Sequence, residues 1–133
     1  IMATLTITSL FAGILALIYV VLSVRIIQLR WRHRVGIGTN KVEELQRAVR
    51  AHGNFIEYVP LMLLMLALIE FSGVGSAWIY SLGGALTIAR IAHAAGLSSN
   101  AGVSWPRTVG VLGTFSVLLL QAGILIGIFV GQL

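Results

Sequence analysis

The segment RAHGNFIEYVPLMLLMLALIEF, residues 50–71, decides the fold because it joins polar side chains to a stretch apolar enough to cross a membrane. Arg50, Asn54 and Glu57 are spaced i, i+4 and i+7, so they share one face of a helix. Polar groups at membrane depth are costly unless they have partners. This face therefore indicates either a ligand site or an internal ion-pair lock.

The composition excludes a water-soluble globule. Of 133 residues, 58% are hydrophobic and 10% are charged, and the mean hydropathy is +0.98, which leaves too few polar side chains to cover a soluble surface. Four apolar stretches are each long enough to cross the hydrocarbon layer, which takes about 20 helical residues. The sequence thus predicts an all-α membrane protein, residues 1–133, as one up-down bundle of four transmembrane helices at 4–24, 51–71, 77–97 and 108–131.

The cations predict the orientation of this bundle. Seven of the nine lie in the connection 25–50, whereas the connection 72–76 carries no charge. Because cytoplasmic loops are enriched in Lys and Arg, the connection 25–50 is predicted to be cytoplasmic. Both termini then lie on the non-cytoplasmic side, and the loop 98–107 is cytoplasmic. The formal charge of +5 fits contact with membrane lipids and argues against a nucleic-acid partner, since the sequence contains no basic soluble module.

Local patterns predict how the first helices end and begin. Residues 25–34 read as a helical extension of the first span, and the glycines in 36–40 predict a turn. Thr39 or Asn40 is expected to cap a helix that runs unbroken from Val42 through the second span. In the fourth span, a ridge of small residues predicts close helix packing, at Gly123, Gly127 and Gly131.

The remaining polar residues favour an anionic ligand. The chain has no cysteine, so any thiol must come from a ligand, and its three histidines lack the spacing of a zinc-binding helix, so no metal is expected. Only Glu57 lies at a depth where it offsets the three arginines at the cytoplasmic ends of spans, Arg50, Arg90 and Arg107. Asn54 and His93 add neutral hydrogen-bonding groups. The alternative is a lock in which Glu57 pairs with Arg50 or Arg90, while Asn54 and His93 bind backbone carbonyls.

The residues also resemble a known family. The run 50–60, Arg90 and His93 late in the third span, and Arg107-Thr108 at the start of the fourth resemble the MAPEG family, the membrane-associated proteins of eicosanoid and glutathione metabolism. Residues 30–38 look closest to small bacterial members. The resemblance implies a homotrimer in a bacterial inner membrane, with glutathione as co-substrate bound between neighbouring subunits.

The resemblance also implies roles for individual residues. Asn54 and Glu57 would hold the polar groups of glutathione, while Arg50 would support them. His93 would add a hydrogen bond, and Arg30 of the first helix would reach a carboxylate. With Arg90 from the charge argument, these are the predicted binding residues. The predicted catalytic pair, which would lie near the thiol, is Arg107 and Thr108.

These assignments predict a glutathione-dependent transferase or peroxidase that acts on hydrophobic electrophiles dissolved in the bilayer. Cations and the Thr108 hydroxyl would favour the reactive thiolate. Three positions depart from the family's glutathione-binding pattern, which has arginine, tyrosine and an aromatic hydroxyl there: Gly53, Leu97 and Val111. The alternative is therefore a non-catalytic lipid-binding or accessory protein of the same fold, packed against a larger membrane complex. A proton-coupled exporter fits less well, because the neighbouring cations oppose proton binding at Glu57.

Overall fold

The computed structural model describes residues 4–99 and 104–133. These residues form four helices and contain no strand, which confirms the all-α prediction. Residues 100–103 of the predicted cytoplasmic loop lie outside the described part. The helices are α1 (Thr6–His33), α2 (Glu43–Phe71), α3 (Ser76–Ser99) and α4 (Trp105–Gln132).

The helices α1 and α2 extend beyond their predicted apolar spans. The last turn of α1 carries Arg30, Arg32 and His33, and basic side chains are favourable at this end of a helix dipole. Arg34 then adopts a left-handed conformation (φ 54, ψ 46) that ends the helix. The predicted connection 25–50 is consequently mostly helical, and its non-helical part comprises residues 34–42.

The start of α2 differs from the prediction. Neither Thr39 nor Asn40 caps it: Val42 occupies the N-cap position, and no side chain there binds the helix. Asn40 and Lys41 are both left-handed (φ 47 and 59), so the chain makes a tight turn that ends with Val42 N–H donating to the Thr39 carbonyl at 2.9 Å. From Glu43 the helix is continuous to Phe71, with Pro60 inside it.

The centre of the bundle is formed by α2 and α3. These two helices contact each other and both outer helices, whereas α1 and α4 do not touch within the described residues. The Glu70 carboxylate at the end of α2 accepts hydrogen bonds from the backbone N–H groups of Ile7 (3.0 Å) and Thr8 (2.9 Å). A carboxylate at a helix N-terminus satisfies free N–H groups and suits the dipole, so Glu70 fixes α1 against α2.

Glycines allow α3 and α4 to approach closely, but they are not the predicted ones. A Cβ atom at Gly110 would lie 2.5 Å from the backbone N of His93, and one at Gly96 would lie 2.5 Å from the backbone N of Arg107. At the predicted ridge, by contrast, a Cβ would meet no atom within 4 Å: Gly123, Gly127 and Gly131. The packing prediction is therefore wrong within the chain. The ridge lies to one side of the buried face of α4, which contains Gly110, Thr114, Val117 and Gln121.

Three of the helices, α1, α2 and α4, are long and apolar enough to cross a membrane. In α1 and α4, only 17% of the apolar window is buried inside the chain, so most of these side chains face outward, as contact with lipid requires. Helix α3 is not in this group and carries the buried residues Arg90 and His93. That α3 also crosses the membrane, as the four-span topology requires, thus stays a prediction.

Candidate functional site

A polar cleft opens where the first turns of α2 and α4 meet the end of α3. Its volume is ≈ 240 Å³. Three arginines and one glutamate are among the side chains around it, so its local charge balance is positive. The lining residues are Glu43, Gln46, Arg47, Arg50, Asn54, His93, Leu97 and Arg107. The structure thus brings four predicted site residues to one cavity, namely Arg50, Asn54, His93 and Arg107.

The predicted pairing of Glu57 is found, with Arg50 as its partner. Arg50 Nη1 lies 3.5 Å from Glu57 Oε1, and the two side chains are 59% and 52% exposed within the chain. Exposed pairs contribute at most about 1 kcal/mol, so this pair is a weak lock. A Cβ at Gly53 would lie 3.3 Å from Arg50 Nη1. A larger side chain at this position would therefore contact the pair directly.

Arg90 forms the buried centre of the polar network. Its side chain is only 1% exposed, and its Nη2 donates to Asn54 Oδ1 at 2.6 Å. Nη1 lies 3.4 Å from Thr114 Oγ1, and the guanidinium carbon is 5.8 and 5.9 Å from the ring centres of Phe55 and Tyr58. Among the described residues, no carboxylate forms an ion pair with Arg90. The buried cation is thus held by neutral and aromatic partners.

A second cavity, of ≈ 100 Å³, lies beside Arg90. Asn54 borders both this cavity and the cleft, so it links the buried cation to the polar opening. Because Asn54 accepts from Arg90 through its carbonyl oxygen, its amide NH₂ group is left for another acceptor. The other lining residues are Tyr58, Arg90, Val111, Thr114 and Phe115.

His93 lies at the contact between α3 and α4. Its side chain is 2% exposed, yet it lines the cleft, and its Nδ1 has no hydrogen-bond partner among the described residues. Gly110 allows the backbone of α4 to pack directly on His93. A buried, unpartnered ring nitrogen beside a cavity is suited to bind a polar ligand group. Within residues 4–99 and 104–133, no cluster of three or more His, Asp or Glu side chains is placed to hold a metal ion.

The predicted catalytic pair lies in the first turn of α4. Arg107 lines the cleft and also a cavity of ≈ 290 Å³ on the outer face of α4, which it shares with Thr108, Val111 and Leu112. Thr108 does not line the cleft within the chain. Thr108 is instead exposed on the outer face of α4.

Arg30 is a predicted site residue that the structure places at the turn after α1. Its Nη1 donates to the carbonyls of Val35 (3.3 Å) and Gly38 (2.8 Å), so it stabilises the turn after α1. It does not line the cleft of its own chain.

Two further residues near the site, Arg47 and Thr114, were not predicted from the sequence. Arg47 lines the cleft, pairs with Glu43 at 3.0 Å and donates from Nε to the Ser98 carbonyl at 3.3 Å. Its position three residues before Arg50 is the signal that indicates a shared helical face. Similarly, Thr114 lies seven residues after Arg107, on the same face of α4.

Comparisons with known proteins agree with this architecture. The model of the MAPEG family matches residues 8–127. The chain is 31% identical over 115 residues to the inner membrane protein YecN of Escherichia coli strain K12, which covers 86% of each protein. The YecN protein of E. coli O6:H1 matches with the same identity and coverage. With its long apolar helices, the chain is therefore an integral membrane protein that belongs to the MAPEG family.

Proposed function

We propose that the protein is a glutathione-dependent transferase or peroxidase that acts on hydrophobic electrophiles dissolved in the membrane. The observation that carries the proposal is the positive cleft of ≈ 240 Å³, in which three arginines accompany Asn54 and His93. Glutathione has two carboxylates, an ammonium group, two amides and a thiol. The lining arginines complement the carboxylates and the thiolate, and Asn54 and His93 complement the amides. The anion for the ammonium group would come from Glu57, which lies beside Arg50 and outside the cleft lining.

The binding mode follows from the chemistry of the lining. Arginine forks bind carboxylates through paired hydrogen bonds, and Arg47 and Arg50 lie on one wall of the cleft. Glu57, held 3.5 Å from Arg50, offers an anion for the ammonium group. Asn54 and His93 have hydrogen-bonding capacity that the described residues leave unused, which suits the peptide amides.

The chemistry depends on the ionisation of the thiol. Arg107 and the Thr108 hydroxyl would stabilise the thiolate by charge and by a hydrogen bond. In transfer, the sulfur attacks the electrophilic carbon, a new S–C bond forms, and the leaving group departs with its electron pair. In the peroxidase reaction, two glutathione molecules are oxidised to the disulfide while a hydroperoxide is reduced to an alcohol and water.

A homotrimer would complete the site. The cleft of one chain is below the volume of about 300–1,000 Å³ that is typical of ligand pockets. Arg50 and Glu57 are more than half exposed, and Thr108 lies on the outer side of α4. A neighbouring subunit packed against this region would enclose all three, as the family resemblance implies. We place the trimer in a bacterial inner membrane, as the name of YecN indicates for that relative, with four spans and non-cytoplasmic termini.

Ultraviolet difference spectroscopy tests the proposal. Thiolates absorb where thiols do not, so glutathione bound to the protein should show increased thiolate absorbance at neutral pH. Thr108→Val keeps the shape of the side chain and removes the hydroxyl, and this variant should show a smaller increase. S-methylglutathione, which has no ionisable thiol, is the control. Unchanged spectra with the parent protein at millimolar glutathione would contradict the proposed chemistry.

The second candidate function is a non-catalytic lipid-binding or accessory role. Two observations favour it: Leu97 lines the cleft and Val111 lines the cavity beside Arg90, so apolar groups stand where the family's glutathione-binding members have hydroxyls. Gly53 leaves the Arg50–Glu57 pair without the further cation of those members. This candidate predicts no thiolate signal in the spectroscopic test.

A further inference from the structure

A second cavity system lies on a different side of the bundle, between α1 and α3. It is a groove of ≈ 310 Å³ that shares no residue with the lining of the cleft. Two small side chains of α3, Ala94 and Ala95, give the groove its width. The other lining residues are Ile18, Val21, Leu22 and Arg25 of α1, and Ile91 and Ser98 of α3. Apart from Arg25 and Ser98, the walls are apolar.

The polar end of the groove is cationic. Arg25 Nη2 lies 3.3 Å from Glu44 Oε1, and two further groups, Arg32 Nη1 and His33 Nε2, are each 3.9 Å from Glu44 Oε2. One carboxylate is thus shared by two arginines and a histidine. Arg25 Nε is buried and has no hydrogen-bond partner among the described residues. The nearby Glu43 does not offset this excess, because it is paired with Arg47 at 3.0 Å.

We propose that this groove binds an anionic glycerophospholipid, with an acyl chain along the apolar walls and the phosphate at Arg25. The groove matches both parts of such a lipid: its apolar walls suit an acyl chain, and they end at a cation, which suits the phosphate, on the side of the predicted cytoplasmic connection. Juxtamembrane arginines attract anionic headgroups. The Ser98 hydroxyl, at the same end, adds a hydrogen-bonding group to the phosphate position.

A second copy of the chain is a poorer occupant. Subunits related by an axis along the membrane normal carry their cationic ends at the same membrane level. A neighbouring copy in the groove would therefore bring more arginines of the connection 25–50 to a region that is already positive. An anionic lipid instead neutralises this charge. The proposal does not rest on glutathione binding, because the two sites have no lining residue in common.

Native mass spectrometry in detergent tests this inference. The full chain is titrated with phosphatidylglycerol and with phosphatidylcholine that carries the same acyl chains. The parent protein should bind phosphatidylglycerol more tightly. Arg25→Gln should weaken this binding by about fivefold, the effect of one cation near a headgroup. Its matched control is Arg34→Gln, which removes an exposed cation outside the groove and should leave the affinity unchanged.

A second pair of variants tests the apolar walls. Ala95→Leu fills the groove from an exposed position on α3 and should reduce the binding of phosphatidylglycerol, whereas Ala16→Leu, at an exposed position of α1 outside the groove, should not. Equal affinity for the two lipids, or equal effects of Arg25→Gln and Arg34→Gln, would overturn the proposal. So would an Ala95→Leu protein that loses its oligomeric state and keeps its lipid, because the groove would then be a contact between subunits.

Discussion

At the scale of single residues, the main feature is Arg90, a buried cation without a carboxylate partner in the described chain. Its charge is stabilised by the Asn54 carbonyl oxygen, the Thr114 hydroxyl and two aromatic rings. A buried guanidinium requires hydrogen-bond acceptors, since desolvation of an unpaired charge is costly. Asn54 therefore has a structural role towards Arg90 in addition to its place in the cleft.

The hydrogen bond between Asn54 and Arg90 can be tested by substitution. Asn54→Ala removes the acceptor at 2.6 Å from Arg90 and should lower the free energy of unfolding by about 1.5–3 kcal/mol, as expected for a hydrogen bond to a charged group. Asn54→Asp retains an acceptor at the same place, so its free energy of unfolding should be close to that of the parent protein. Denaturant unfolding in detergent micelles, followed by circular dichroism, measures both. If Asn54→Ala were as stable as Asn54→Asp, the role assigned to this bond would be wrong.

At the scale of helices, the contact between α3 and α4 positions the site. Direct backbone packing at Gly96 and Gly110 brings His93 and Arg107 to the same cleft. Small residues are the usual means by which membrane helices approach each other. The geometry of the cleft thus depends on glycines that carry no functional group themselves.

The element-scale prediction compares two glycines. In Gly110→Ala, the new Cβ would lie 2.5 Å from the backbone N of His93, so the helices must separate, and the free energy of unfolding should fall by about 1–3 kcal/mol or more. In Gly84→Ala of α3, the new Cβ meets no atom within 4 Å. This variant should have an unchanged or higher free energy of unfolding, because alanine is the better helix former. Equal unfolding curves for the two variants would contradict the described packing.

The helices themselves were predictable from sequence because length and apolarity are local properties. The extension of α1 to His33 and the run of α2 from the connection into the second span followed from local pattern. The cap of α2 was mispredicted because two left-handed residues, Asn40 and Lys41, move the helix start. Asparagine favours this conformation, but lysine does not, so the sequence gives no signal for the second residue. The ridge of α4 failed for a different reason: a small-residue motif indicates that close packing is feasible, not which partner occupies it.

The site was predictable only in part. Arg50, Asn54, His93 and Arg107 line one cleft, because depth in the membrane and helical spacing constrain their positions, while their binding roles stay predictions. The bond between Asn54 and Arg90 was missed, since residues 36 positions apart meet only through the tertiary arrangement of α2 and α3. The donors that Glu70 binds at the start of α1 were missed for the same reason.

At the scale of the whole molecule, the chain presents two chemically different regions. One is the positive cleft of ≈ 240 Å³ at the ends of α2, α3 and α4, and the other is the outward apolar surface of α1 and α4. A hydrophobic electrophile dissolved in lipid reaches such a protein from the side, whereas glutathione reaches it from water. The arrangement thus suits the proposed reaction between a membrane-dissolved substrate and a polar thiol, and in the proposed trimer a neighbouring subunit would close the cleft.

Calorimetric titration with glutathione tests this account most directly. The parent protein should release or absorb heat with millimolar glutathione and bind one molecule per chain. Arg107→Gln removes a cation from the cleft and should weaken binding, while Arg34→Gln removes an exposed cation outside the cleft and should not. The absence of any heat from the parent protein at millimolar glutathione, or equal affinities for Arg107→Gln and Arg34→Gln, would contradict the assignment of the cleft to glutathione.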